Sequence, residues 1–481
     1  MLLLALPVAL AAGFDAGGYL RVMARPDLQG GDGRLGLWNL TGRLMNESPY
    51  AVLDLRYDVL EPAPGTQAPW TSLHARVEGG AIAGASADGS LAGLRLSRAY
   101  ALAGNLGIPH TSFQVGTLDQ VFGDLALYDM RPASVLAGSV GAAMHWTRDR
   151  AEVVVGIGDA GFALHGLNYS AVLNPGFTAR QGFGDHVEVG VGGEWLWEPG
   201  TAGNVNSPYQ TSGMDYEDWV RGEVVSGFLA ENPGLEDFFP DPSRRSAASG
   251  AAIAYLGFGD VGPLRWNAAY ARLERRPPAG PTTEPLGDGF VDLYVADFTD
   301  ERFGLVIGNE IRLASKSERL DLVWGVLYGD DWDLDNDIVP SDFDRSYAST
   351  VLRGQVAATP AVALLAETSF AREWSRNGNQ WREHADSIFA GAEGLPDTRG
   401  LETGDTDTRR TWQGKVGPVL SPLGPGVWSR PSLRLLYGVQ YSNVNVAFGN
   451  AFVDTVDLNN AFGNVEIHWH HLVALEAEAW F

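Results

Sequence analysis

Cysteine is absent from the 481 residues, so nothing in this chain is stapled by disulfides. Long hydrophobic runs are absent too. No window approaches the roughly 20 apolar residues of a membrane-spanning helix, and the longest apolar run, residues 2–12, is too short to cross. Positive charge is scarce: 34 Lys and Arg against 59 Asp and Glu leave a net charge of −25. That balance excludes nucleic acid and anionic membrane surfaces as partners. Domain boundaries are also missing, since no low-complexity linker or shift in composition divides residues 13–481.

What is present suits a β-rich chain with many turns: 60 glycines, 26 prolines and only 19% charged residues. The last strand carries the clearest pattern. Val473, Leu475, Ala477, Ala479 and Phe481 alternate with Ala474, Glu476, Glu478 and Trp480. Such alternation, ending on an aromatic, is that of a transmembrane barrel strand with one face to lipid and one to a lumen. Trp480 falls on the lumen side, which points to something apolar passing through.

Residues 2–12 read as the core of an export signal, with Ala9-Leu10-Ala11 as a small-x-small cleavage site. The positively charged leader of such a signal is missing, so the start is expected upstream of Met1. A buried first strand or helix is the other reading of this run.

Repeated hairpins follow. One runs through Ile253 and Tyr255, turns at Gly259-Asp260-Val261-Gly262-Pro263, and returns through Leu264, Trp266, Ala268 and Tyr270. Another turns at Thr359-Pro360 between residues 347–357 and 362–370. Short Gly/Pro turns alternate with long stretches such as the Pro-rich residues 275–288, as in outer-membrane barrels. Counting the alternating segments predicts an all-β, antiparallel transmembrane barrel of about 16 to 18 strands. A soluble sandwich or propeller also alternates. Aromatics at outward strand ends and the terminal Phe481 weigh against it.

Period two divides each strand into faces. Leu20 and Val22 face lipid, with Tyr19 and Arg21 inward. Ala51, Leu53, Leu55, Tyr57 and Val59 face lipid, with Tyr50, Val52, Asp54, Arg56 and Asp58 inward. Leu433, Leu435, Tyr437 and Val439 face lipid, with Trp428, Arg430, Ser432 and Arg434 inward. Aromatics beside arginines and carboxylates suit sugars, whose C–H faces stack on rings and whose hydroxyls both donate and accept. Lumen aromatics also serve as filler against an inserted loop, and that reading stands beside the first.

These residues carry a resemblance to the maltoporins, sugar-specific outer-membrane porins. Trp428-Ser429-Arg430-Pro431-Ser432-Leu433-Arg434 resembles that family's WSRPAIR strand. Arg43-Leu44-Met45-Asn46-Glu47 followed by Tyr50 is similar to RLGNE and its tyrosine. Gly18-Tyr19-Leu20-Arg21 is similar to GYAR, Trp480-Phe481 to a terminal aromatic pair, and residues 328–336 to the loop start YQDINWDNDN. Residues 150–300 match poorly. The resemblance implies an 18-stranded barrel with an inward-folded constriction loop, a homotrimer in the bacterial outer membrane, and facilitated diffusion of maltodextrin-like oligosaccharides. It implies an aromatic slide of Tyr19, Tyr50, Trp428 and Trp480. It further implies a polar track and constriction that include Arg21, Arg43, Asp124, Asp129, Arg131 and Arg430. Departures bear on the substrate: Phe122 stands where the family has an arginine, Arg131 where it has a tyrosine, and Val52 where it has a glutamate. Arg98 matches a track position loosely.

Other signals are weaker. Asp330, Asp331, Asp333, Asp335 and Asp337 have the oxygen density of a calcium site but lack its glycine and terminal glutamate, so a solvated acidic loop is expected. His468, His470 and His471 are expected as exposed loop residues instead of metal ligands. No cofactor is expected. Neither is catalysis: His110 and Ser112 lie close in sequence, but no strand pairs such groups with a positioned carboxylate. A general or ion-selective porin remains the alternative to a sugar channel.

Overall fold

The computed structural model describes residues 13–26, 35, 38–47, 49–61, 68–79, 94–161, 171–198, 247–275, 282–286, 289–293, 303–317, 319–332, 345–375, 408–443 and 468–481. The segment 1–12, expected to be an export signal, and Asp333, Asp335 and Asp337 lie outside the described residues.

Eighteen antiparallel strands form one closed sheet. The first eleven are β1 (Gly13–Ala24), β2 (Tyr50–Leu60), β3 (Trp70–Gly79), β4 (Arg95–Gly104), β5 (Thr111–Leu125), β6 (Met130–Arg148), β7 (Ala151–Asp159), β8 (Leu173–Phe183), β9 (Val187–Glu198), β10 (Ala247–Val261) and β11 (Leu264–Arg275). A separate hairpin of β12 (Thr282–Leu286) and β13 (Gly289–Leu293) intervenes. The sheet resumes with β14 (Phe303–Ala314), β15 (Leu320–Trp332), β16 (Arg345–Ala357), β17 (Val362–Ser375), β18 (Thr408–Leu420), β19 (Ser432–Ser442) and β20 (Trp469–Trp480). β1 closes the ring, pairing with β2 on one side (Tyr19 opposite Val52) and with β20 on the other (Tyr19 opposite Trp480). Closure leaves no unpaired edge, the condition a sheet must meet in lipid.

The outward positions are the apolar ones expected. Leu53, Leu433, Leu435 and Leu475 are exposed on the exterior, while their sequence neighbours Val52, Ser432, Arg434 and Glu476 are buried within. Twelve-residue β20, rising about 3.3 Å per residue and tilted about 40°, crosses roughly 30 Å, the thickness of a bilayer core. Outward aromatics fall into register near the long-loop end: Phe370 lies opposite Trp412, Trp412 opposite Tyr441, and Tyr441 opposite Trp469. Phe14, opposite Tyr57, and Phe481 mark the other end. This is an outer-membrane β-barrel, with an apolar band between two aromatic girdles.

Tight turns join strands at the end that carries the chain termini. Asp149 (φ 51°) and Gly262 (φ 61°) adopt the left-handed conformation that two-residue connections require. The lumen is partly filled. Beyond Leu118 the β5–β6 hairpin loses regular register and folds inward as an arm. Its Leu125, Leu127, Tyr128 and Leu136 are buried against wall residues such as Ile253, Val323 and Leu327. A second inward segment contains the single-turn helix α1 (Trp38–Thr41). Its Leu35, Leu44 and Met45 pack on Leu365, Val419, Leu436 and Leu472 of the wall.

Candidate functional site

On the β1–β20 seam the register sets Tyr19 beside Trp480, with ring centroids 4.9 Å apart, and Tyr50 lies 6.3 Å from Tyr19 on the other side. Three of the four expected slide rings are therefore contiguous. They differ in access: Trp480 is 66% exposed to the lumen, whereas Tyr19 is 9% exposed and wedged between its neighbours. Val52 fills the place opposite Tyr19, so an apolar side chain backs the ring where the resemblance implies a glutamate.

Hydroxyls and charges hold these rings in place. The Tyr19 hydroxyl donates to Glu478 Oε1 at 2.7 Å, and the Tyr50 hydroxyl to Glu78 Oε2 at 2.7 Å. Glu478 also receives Arg434 at 2.5 Å, Arg430, and Arg43 at 3.6 Å. Arg43 Nε donates to Glu47 at 2.8 Å, and Arg21 pairs with the same carboxylate. Removing one member of such a buried network leaves an uncompensated charge, so the polar track is also a clamp. Burial pushes the Glu47 carboxyl up to about 7. Arg43 and Arg21 oppose that rise, and the neighbouring Asp129 carboxylate adds to it.

Trp428 stands apart. Its ring lies beneath the Arg353 guanidinium, 5.4 Å from carbon to centroid, and among the described residues it makes no ring contact with the other three. The turn that carries it is pinned where Val427 N–H donates to Asp321 at 2.8 Å. Arg430, two residues further on, reaches Glu478 and so ties this turn to Tyr19.

The inward arm presents Asp124, Asp129 and Arg131 to the lumen, all three exposed. Arg131 acts electrostatically on both Tyr50 and Asp124, and Asp129 on both Glu47 and Arg43. The arm is held to the wall by side chains that accept from its backbone. Leu127 N–H donates to Glu310 at 2.8 Å and Leu136 N–H to Glu194 at 2.7 Å. Arg43 N–H donates to the Leu127 carbonyl at 2.9 Å, joining the two inward segments. Phe122 is buried at the root of the arm, filling the space that Gly192 leaves open, which accounts for a ring where the resemblance implies an arginine. Arg98 pairs with Asp119.

A second aromatic group was legible in the sequence only as part of a hairpin, not as a lumen-facing cluster. Tyr255 and Tyr270 stack with centroids 5.0 Å apart, Phe122 meets Tyr255 edge-on at 6.3 Å, and Trp266 shares their face. Tyr255, Trp266 and Tyr270 line a chamber of about 750 Å³ on the β7–β11 wall. Splitting the 253–270 hairpin by period two would have placed all three inward. A third polar stretch runs along β2–β4, where Arg76 chelates Asp54 at 2.6 and 2.9 Å and His74 stacks on Tyr100 at 4.7 Å.

Two expectations are corrected. His470 and His471 are strand residues on opposite faces of β20, not exposed loop residues: His470 is buried, and His471 bonds Tyr437 at 2.7 Å. His468 abuts them, bonding the Ser442 carbonyl at 2.9 Å. Tyr328 to Trp332 likewise continue β15 instead of opening a loop. Asp331 is buried, while Asp330 points the other way and accepts from Ser346 at 2.6 Å. Among the described residues no cluster of three potential ligands suits a metal ion.

No family model matches the chain, and no curated protein matches it. Among solved structures it is similar to OpdL of Pseudomonas aeruginosa, with 9% identity over 98% of this chain and 99% of that one and a TM-score of 0.43. It is similar to the outer membrane channel DcaP of Acinetobacter baumannii, with 12% identity, 98% and 97% coverage and a TM-score of 0.38. A third is a loop-deletion mutant of OmpT, an outer membrane protein of Vibrio cholerae, with 10% identity, 98% and 100% coverage and a TM-score of 0.39. The barrel itself rests on the strand order and register described above.

Proposed function

We propose that the chain is an outer-membrane channel for facilitated diffusion of carbohydrates, maltodextrin-like oligosaccharides or a related sugar, with no covalent step. The contiguity of Tyr50, Tyr19 and Trp480 on the lumen face supports this reading most. A pyranose ring slides over such a row by exchanging one C–H face contact for the next. Arg43, Asp129 and Arg131 exchange hydrogen bonds with its hydroxyls as it moves. Tyr19 acts as the bridge between two more open rings, and the Arg21, Arg430 and Glu478 network fixes its height. Trp428 takes part through its turn. In line with the maltoporin resemblance, the barrel is proposed to assemble as a homotrimer, which native mass measurement in detergent would check.

Liposomes carrying the purified barrel should swell faster in isosmotic maltotriose than in a polyol of equal mass. Swelling that follows solute size alone would mark a general or ion-selective pore and contradict the sugar reading.

A further inference from the structure

The chamber on the β7–β11 wall is half a circumference from the Tyr19 seam, since β10 is nine strands from β1 in either direction round the ring. It lies at the tight-turn end, bounded by the 149–150 and 184–186 connections, and the arm closes it above with Asp124 and Ala126. Tyr255 lies flat because the wall beneath it is bare, and Tyr270 packs against the arm. The Tyr255 hydroxyl covers Gly257, the Tyr270 hydroxyl covers Gly123 of the arm, and a Cβ at either glycine would collide with the ring. Beside the rings Arg180 is held between Glu152 at 2.5 Å and Glu188 at 3.7 Å, which sets donors and acceptors side by side. The lining carries six carboxylates against three arginines.

We infer that this chamber is a second saccharide station, taking an uncharged sugar segment onto Tyr255 and Trp266, with the buried Tyr270 backing Tyr255, at the tight-turn end of the lumen. This rests on the sugar reading above and adds to it a separate site on the opposite wall. Flat rings supply the apolar platform, and the Arg180 cluster supplies hydrogen bonds to hydroxyls. The excess of carboxylates repels a uronate, so the sugar accepted here carries no carboxylate. At about 750 Å³ the chamber falls within the range of small-molecule sites. A sugar chain leaving the Tyr50–Tyr19–Trp480 row would cross beneath the arm to reach it.

The test is single-channel recording on the full barrel, with a neutral glucose trisaccharide added to one face at a time. Tyr255→Ala combined with Trp266→Ala should slow blocking from the tight-turn face about fivefold and leave blocking from the other face within twofold of wild type. Gly257→Ser keeps both rings but lifts Tyr255 from the wall, and should weaken the same one-sided block. A galacturonate trisaccharide should block from that face at least tenfold more weakly than the neutral one. Unchanged one-sided block in both variants, or equal block by the acidic sugar, overturns the station. If wild type is blocked by no sugar from either face, the sugar reading itself fails. If block is lost in Trp480→Ala yet indifferent to the chamber variants, only the second station fails.

Discussion

Glu47 shows how much a single side chain in this lumen is asked to do. It sits where the two inward segments meet, paired with Arg21 and Arg43 and close to Asp129. Burial raises its carboxyl from an ordinary 4.5 to about 7. A carboxyl raised in the folded state binds its extra proton between those values. Its contribution therefore favours folding at the acid end of that window and weakens as pH rises through about 7. Function follows the same sign. Below pH 7 Glu47 becomes neutral, Arg21 and Arg43 lose their counter-charge, and the constriction turns more positive. In a salt gradient the reversal potential should shift toward anion selectivity between pH 8 and pH 6. Glu47→Gln should already show the acid value at pH 8 and should not titrate there. A wild-type selectivity flat across that range would contradict the assignment.

Among the elements, the arm depends on a few wall carboxylates. Glu310→Ala removes the acceptor of Leu127 N–H and leaves a buried donor unmet, a cost of about 1–3 kcal/mol. The barrel should still form, as judged by its heat-dependent mobility on gels, but single-channel current should be larger and noisier because the tip is loosened. Unaltered conductance and noise would show that Glu310 does not anchor the tip. The strands around this arm were legible in the sequence and the arm was not. β1, β2, β19 and β20 each separate lipid from lumen, so their side chains must alternate, and period two alone assigned Tyr19, Tyr50, Arg434 and Trp480 to the inside. The arm meets protein on one side and the lumen on the other, and its register slips at Leu118, Val121 and Gly123. Leu125, Leu127 and Tyr128 therefore follow no simple period, and only family resemblance placed Asp124 and Asp129 there. The same limit hid the fate of Trp428, whose turn folds inward beyond the end of its strand. Tyr255, Trp266 and Tyr270 were missed for another reason: their alternation is regular, but residues 150–300 bear no resemblance that draws the eye to their inner face. His470 was misread because a histidine cluster next to a long connection looks like a loop, whereas the ladder already pairs it with Gln440.

As a whole, the molecule is a sheet with two solvents, and its stability and its transport divide between the two faces. Leu475, opposite Leu435 near the middle of the exterior, meets acyl chains. Leu475→Arg should lower the free energy of unfolding from liposomes by about 2–4 kcal/mol in a urea titration, the usual cost of a charge at mid-bilayer. A change below about 0.5 kcal/mol would place that residue outside the membrane. The lumen, in contrast, sets what passes. The most direct measurement is titration of ion-current block by malto-oligosaccharides of increasing length, in wild type and in Trp480→Ala and Tyr50→Ala. Saturable block should tighten as the sugar lengthens and should weaken roughly 2- to 10-fold in each variant, as expected for one lost ring contact of about 0.5–1.5 kcal/mol. Block that is absent, or present but indifferent to both rings, would contradict an aromatic path for sugars through this barrel.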